Sequence, residues 1–372
     1  MMRSVFAALL AAVMLCACSA RCDSDTITTA PPNVVFVPIP RAISSIKHPT
    51  LPVLYVTMEG SPESRNLFTF RLNADGTIDP NSKHQCVDYF SVDGKTPSFP
   101  HTVKRPTFNV DKSVLYLAAY PITANSVTTY GNSNNFEYAA VALDEQGQPA
   151  KRLKLFRTDQ SGQQGLMGIR YEPTLRRLFF NYYSSTQWTD LDKDGLPMSI
   201  NPTKWFNAGI NFWSWIYVPE WRRFYQTRAA AHMAIVPVTP DNLQIEFIQY
   251  TNPQQGPALY GHIEVSTRFR KIYLLDSDPK RELIVFQLTS DGRLTNVPRY
   301  FTLGPTLFVR CDFKAGLLYA LSKGEIRVFK LDANGYPSGL PQVHAFEHGD
   351  VWDVYMEEST GKLYVCTTKE MK

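Results

Sequence analysis

Four charged or titratable side chains stand inside otherwise apolar runs: Arg170 in GIRYEP, His262 in LYGHIEV, Arg310 in LFVRCDF and Asp353 in VWDVY. Such groups are seldom buried alone, so each needs an ion-pair partner or a ligand. A neutral imidazole titrates near working pH and can take a proton from water. A guanidinium grips carboxylate or phosphate in a fork and can steady an oxyanion. Together the four supply the parts for base-assisted attack of water on a cyclic ester, with His262 as the base. The alternative is structural: a hydrogen-bonded histidine, and Arg310 paired with Asp353 across neighbouring strands. Glu264, two residues after His262, shares its side of a strand and would orient the ring or satisfy a packing contact.

A wider set has the same cationic and aromatic character. Arg41, His101, Lys104, Arg105, Asn211, Trp213, Tyr260 and Trp352 are candidates for contacting a small anionic molecule or a glycan, although some would instead pack or stay solvated. Trp205, Trp213, Trp215 and Trp221 crowd KWFNAGINFWSWIYVPEW; such rings stack on sugars or fill an interior. Asp190, Asp192 and Asp194 in DLDKDG have the spacing of a calcium loop, but Asn201 stands where that loop needs a bidentate glutamate. The same stretch reads equally well as a hairpin turn. No cofactor other than calcium is implied. HExxH, GxSxG, GxGxxG and Walker patterns are absent, so zinc proteases, elbow-type serine hydrolases and nucleotide enzymes have no support.

What positions these residues is a repeat. An aromatic triplet recurs at Leu54-Tyr55-Val56, Leu115-Tyr116-Leu117, Leu178-Phe179-Phe180, Phe224-Tyr225-Gln226, Ile272-Tyr273-Leu274, Leu318-Tyr319-Ala320 and Leu363-Tyr364-Val365. The spacings are 61, 63, 46, 48, 46 and 45 residues, in the range of a four-stranded propeller blade. Each triplet follows an apolar run and a short polar turn. A second alternating strand then ends in LNADG, LDEQG, LDKDG, LTSDG or LDANG, with VTPDN in the fourth copy. The glycine supplies the left-handed backbone of a tight hairpin. The seventh copy holds only two strands, while NVVFVPIP at 33–40 is a strand without a partner. Their pairing is expected to close the ring and cover its edges.

This pattern of aromatic strand, alternating strand and Leu-Asp-x-x-Gly resembles the seven-bladed lactonase-like β-propellers, the group that includes bacterial 6-phosphogluconolactonase and the YVTN-type repeats. The resemblance covers residues 34–372 and implies an all-β, seven-bladed propeller. Its members include hydrolases and proteins that only bind, so it leaves three readings: a lactone hydrolase acting at the central channel, a non-catalytic propeller binding a protein or glycan at the envelope, and a polysaccharide lyase using Tyr260, His262 and Arg310. In such a blade the inner strand begins on one face. The segments 86–105, 121–135, 157–168, 198–209 and 251–261 are expected as insertions on that face, where a rigid scaffold carries binding residues.

The bulk properties agree with one large β domain. Forty-four per cent hydrophobic and 13% aromatic residues suffice for a sizeable core, and a net charge of +4 with scattered Lys and Arg carries no nucleic-acid footprint. A monomer is expected. The start, MMRSVFAALLAAVMLCACSA, has one Arg and then an apolar run too short to span a bilayer, so residues 1–20 read as an export signal. LCAC also resembles a bacterial lipobox, with Cys18 lipidated, and ordinary cleavage near Ala20 is the alternative. Residues 21–32 would form a tether, the propeller would occupy 33–372, and the protein would reside in the periplasm, on the outer membrane or outside the cell. Cys22, Cys86, Cys311 and Cys366 allow three disulfide pairings, and buried free thiols are an equal alternative for the last two.

Overall fold

The computed structural model describes residues 31–368 except 40, 59–66, 87–88, 91–100, 104–105, 122–135, 159–165, 183–184, 199–203, 208–211, 229–231, 239–245, 250–261, 276–281 and 296–297. Cys18, Cys22, Arg105, Asn211 and Tyr260 therefore lie outside the described residues, and of His101 and Trp213 only the backbone is described.

Seven sheets, six antiparallel and one mixed, are built from the described residues. Blade 1 comprises Ala42–Lys47, Val53–Met58, Leu67–Arg71 and His84–Gln85. In blade 2, Val114–Pro121 pairs on its inner side with both His101–Val103 and Thr107–Asn109 and outward with Phe136–Leu143, which in turn pairs with the outer strand Pro149–Thr158. Blade 3 holds Leu166–Glu172, Arg177–Tyr182, Ser185–Asp190 and Lys204–Asn207, and blade 4 holds Phe212–Val218, Arg223–Arg228, His232–Pro237 and Glu246–Gln249. Blade 5 comprises Ile263–Ser266, Lys271–Leu275, Glu282–Gln287 and Arg299–Thr302. Blade 6 comprises Phe308–Asp312, Leu317–Ser322, Glu325–Leu331 and Pro337–Ala345. Blade 7 has Val351–Glu357 and Lys362–Thr367, joined by the N-terminal strand Val34–Phe36. The fold is a closed seven-bladed β-propeller.

The core is a ring of seven layers, each between two blades. Tyr55 packs into blade 2 with Leu115, Leu117 and Val141, while its neighbours Leu54 and Val56 pack backwards on Tyr364 and Cys366 of blade 7. Strand alternation alone achieves this: the middle residue of each triplet faces one neighbouring blade and its flanks face the other. Tyr116, Phe179, Tyr225, Tyr273 and Tyr319 repeat the arrangement in the other layers, and all are fully buried.

Closure uses the N-terminal strand, with a polarity the sequence does not disclose. Val34, Val35 and Phe36 pair with Leu363, Tyr364 and Val365 in parallel. A fourth strand must run toward the face where the next inner strand begins, and this one hands over to Ala42 at the start of blade 1. It therefore has the direction of a fourth strand but sits in the place of the absent third. Asn33 secures its start, donating through Nδ2 to Tyr319 Oη and, at 3.1 Å, to the Gly361 carbonyl.

Inner strands begin on the upper face, and the turns between first and second and between third and fourth strands lie on the lower face. The expected insertions 121–135, 157–168 and 251–261 lie mostly outside the described residues, and the strands that flank them end and begin on the upper face; within 86–105 stands the strand His101–Val103. The segment 198–209 is not one insertion. Lys204–Asn207, within it, is the outer strand of blade 3 and pairs with Ser185–Asp190. Cys86, Cys311 and Cys366 are buried free thiols.

Candidate functional site

The inner strands do not follow simple alternation at their upper ends. The register slips by one residue between Ala42 and Ser44, Leu166 and Gly168, Phe212 and Ser214, and Val351 and Asp353. Four blades thus carry a β-bulge where the strand opens. A bulge bends the strand and re-aims the residues that follow it. This decides which side chains reach the axis.

A central cavity of about 580 Å³ draws lining from every blade, and Arg170, His262, Glu264, Arg310 and Asp353 all belong to it. The four residues singled out for chemistry thus share one cavity. Arg310 is its organiser. Its Nε donates to the Val354 carbonyl at 2.8 Å and its Nη1 to Glu264 Oε1 at 2.6 Å. Nη1 also lies against the His262 imidazole, 2.6 Å from Nδ1. Blades 5, 6 and 7 are tied through this one guanidinium. Its side chain is only 7% exposed, so loss of either ion-pair partner would strand a buried charge, typically at a cost of about 3–5 kcal/mol.

The expected pairing of Arg310 with Asp353 does not occur. Glu264 is the carboxylate that meets Arg310, while Asp353 Oδ2 accepts from the Ser45 amide of blade 1 at 3.3 Å. Glu264 Oε1 stands 3.8 Å from His262 Nδ1, with Arg310 in closer contact with both. A guanidinium N–H can only donate, so an imidazole nitrogen bonded to it accepts, and that nitrogen can take a proton from water only once Arg310 releases it. Cys311, also in the lining, is no rival nucleophile: burial, and then the charge of Glu264, push its thiol well above the ordinary value.

Trp215 and Tyr355 are the aromatic residues among the described lining of the cavity. Trp215 stacks on Phe224 with centroids 5.1 Å apart. Gly168 makes room for it, since a Cβ there would fall 2.8 Å from Trp215 Nε1. Sequence reasoning placed Trp213 at the channel and left Trp215 to packing; the bulge after Phe212 is the reason neither could be assigned. Ser44, Ser214, Glu357 and Glu358 also line the cavity and were not singled out. The period of each inner strand was their only signal. His101 lies in a strand paired with Pro121, on the inner edge of blade 2.

Two of the three aspartates proposed for calcium have protein partners in this structure. Asp190 Oδ1 accepts from Arg177 Nε at 2.6 Å. Asp192 Oδ1 accepts the amides of Asp194 and Leu196 at 2.9 and 2.8 Å, closing the hairpin turn. Among the described residues no group of three His, Cys, Asp or Glu side chains is arranged to hold a metal ion.

No family model and no curated protein matches this sequence. Solved structures do. A Bacteroides uniformis protein provisionally assigned as a 6-phosphogluconolactonase aligns over 81% of this chain and 84% of its own, with TM-score 0.56 and 16% identity. A Lactobacillus plantarum protein aligns over 86% and 96%, with TM-score 0.60 and 13% identity. A functionally unknown protein from Desulfotomaculum acetoxidans aligns over 88% and 89%, with TM-score 0.55 and 12% identity. At these identities the likeness is one of fold alone: the chain forms a seven-bladed β-propeller.

Proposed function

We propose that the axial cavity binds a small anionic cyclic ester and hydrolyses it, with His262 as general base. The observation that carries this reading is the contact of one buried guanidinium, Arg310, with both His262 and Glu264 inside a cavity that also holds Arg170 and Asp353. His262 takes a proton from the attacking water, and the nearby Glu264 carboxylate offsets the charge the ring acquires. Arg170, across the axis on blade 3, is assigned to the substrate's anionic group or the developing oxyanion. Arg310 already has a carboxylate partner, so its role is to hold the base and its counter-charge in place. The lyase alternative depends on Tyr260, which lies outside the described residues, and has no observation in its favour.

The test is a pH-stat assay of the full chain against five- and six-membered sugar-acid lactones, with and without a phosphate or carboxylate substituent. The expected result is turnover above background for an anionic member. His262→Ala should lower kcat by about 10²–10⁴-fold, and Arg170→Ala should mainly raise KM. Absence of turnover across the panel, or equal activity in His262→Ala, overturns the proposal.

A further inference from the structure

A second cavity, distinct from the channel, opens on the lower face between blades 5 and 6. It measures about 510 Å³ and is lined by Arg268, Arg270, Lys271, Arg299, Tyr336 and the residues between and beside them. Four cations line it and no carboxylate does. Lys271 opens the second strand of blade 5, Arg268 and Arg270 belong to the turn before it, and Arg299 begins that blade's outer strand. Tyr336 closes the hairpin turn of blade 6.

Neutralisation of these cations is incomplete. Lys271 is 2% exposed, yet among the described residues its Nζ meets only the amide oxygen of Gln287, at 2.5 Å, and the face of the Tyr336 ring, 3.8 Å from the centroid. Arg299 stands over the same ring at 4.4 Å and makes no ion pair among the described residues. Arg268 donates to the carbonyls of Phe313 and Lys314. The acid nearest in sequence, Asp332, turns its Oδ1 onto the amides of Asn334 and Tyr336 and is not part of the lining. A buried ammonium with no carboxylate partner is unusual, because desolvation is offset only by a counter-charge or by several hydrogen bonds. Cation–π contact supplies part of that compensation. Two cations held at one ring repel each other, and that repulsion is relieved when an anion sits between them.

We propose that this cleft is a binding site for a compact, doubly charged oxyanion of the phosphate or sulfate type, either free or as a monoester on a small molecule. Convergent Arg and Lys donors match three or four tetrahedrally arranged oxygens. Both Tyr336 and Phe301 are already engaged with each other as a stacked pair, so the ring frames the cations and is not a platform for a base or sugar. His and carboxylate groups are absent from the lining, which makes this a binding site without acid–base chemistry.

Calorimetric titration of the full chain with sodium phosphate, sodium sulfate, glycerol 2-phosphate and sodium chloride tests it. Saturable binding of phosphate or sulfate, with no heat from chloride, is expected. Stronger binding of glycerol 2-phosphate than of phosphate identifies a monoester as the ligand, and the reverse identifies the free ion. Arg270→Ala and Arg299→Ala, both at exposed positions, should each weaken binding roughly tenfold, and Lys271→Met should abolish it. Arg170→Ala, in the channel, should leave in place the binding event that Lys271→Met removes, so that phosphate held in the channel is told apart from phosphate held in the cleft. Absence of saturable binding, equal response to chloride, or binding lost in Arg170→Ala but kept in Arg270→Ala and Arg299→Ala overturns the proposal.

Discussion

Glu357 closes the inner strand of blade 7 at the lower mouth of the channel, and its protonation state bears on stability. Burial on its own would raise its carboxyl, but hydrogen bonds from Ser359 and Thr360 outweigh that, and Lys47 adds to them, so the carboxyl sits below its ordinary value of 4.5. The Ser359 hydroxyl donates at 2.6 Å and the Thr360 amide at 2.9 Å. A group whose folded value is depressed stabilises the protein above its unfolded value and loses that contribution as pH falls through the folded one. Glu357→Gln keeps the shape and removes the charge. The variant should melt below the wild type at neutral pH, and the gap should narrow as pH falls below about 4. A gap that does not change with pH would show that packing, not ionisation, sets the contribution of this residue. Glu358, next to it, is shifted the other way by burial and by the neighbouring charges of Glu220, Asp312 and Glu357, so the same mouth gathers carboxylates that repel one another.

Among the elements, the hairpin turn and the aromatic strand act as a pair across each blade boundary. Tyr116 Oη donates to the Gly195 carbonyl at 2.6 Å, and Tyr225, Tyr273 and Tyr364 donate to Gly292, Gly335 and Gly76 at 2.7 Å. Tyr55 does the same to Gly147. Each strand-centre tyrosine is thereby latched to the Leu-Asp-x-x-Gly turn of the next blade. Where the partner is absent the tyrosine is also altered. Phe179 precedes the blade whose turn reads VTPDN without glycine, and Tyr319, which precedes the blade with no such turn, is met by Asn33 instead. The glycine is needed twice over at Gly335: its φ is +80°, and a Cβ would fall 2.6 Å from Phe269 Cγ and 2.8 Å from Tyr273 Oη. Tyr273→Phe should cost about 1–2 kcal/mol in denaturant unfolding, since it leaves a buried carbonyl unpaired. Gly335→Ala should cost more, because strain and overlap add to the same loss. Equal stability of wild type and Tyr273→Phe would remove the latch from the account.

For the whole molecule, the ring has one seam. Blade 7 holds two strands of its own, and its outer edge is covered by Val34–Phe36 from the other end of the chain. The pairing places Val34 in the layer between blades 6 and 7 and Val35 in the layer between blades 7 and 1. Removing residues 33–40 would uncover Leu363, Val365 and Tyr364 and leave an unpaired strand edge. The shortened chain should unfold at a lower temperature and associate with itself in sedimentation. An unchanged melting temperature would mean that the seam contributes nothing to closure.

The repeat was legible in the sequence because a propeller blade cannot bury its faces alone. Every strand must show apolar residues to a neighbour on each side, and that demand writes the aromatic triplet seven times and the glycine turn five. Blade number, the fold and the N-terminal origin of the closing strand follow from it. Charged residues inside apolar runs likewise marked Arg170, His262, Arg310 and Asp353, since a charge survives there only beside a partner or a cavity. Who the partners are was not legible. Glu264 and not Asp353 meets Arg310, and Trp215, left to packing in the sequence, lines the channel, because β-bulges at the mouths of the inner strands offset an alternation that the sequence presents as unbroken. The cationic cleft was hidden for a related reason. Lys271, Arg299 and Tyr336 are unremarkable in their own segments, and only the stacking of blade 6 on blade 5 brings their charges to one ring.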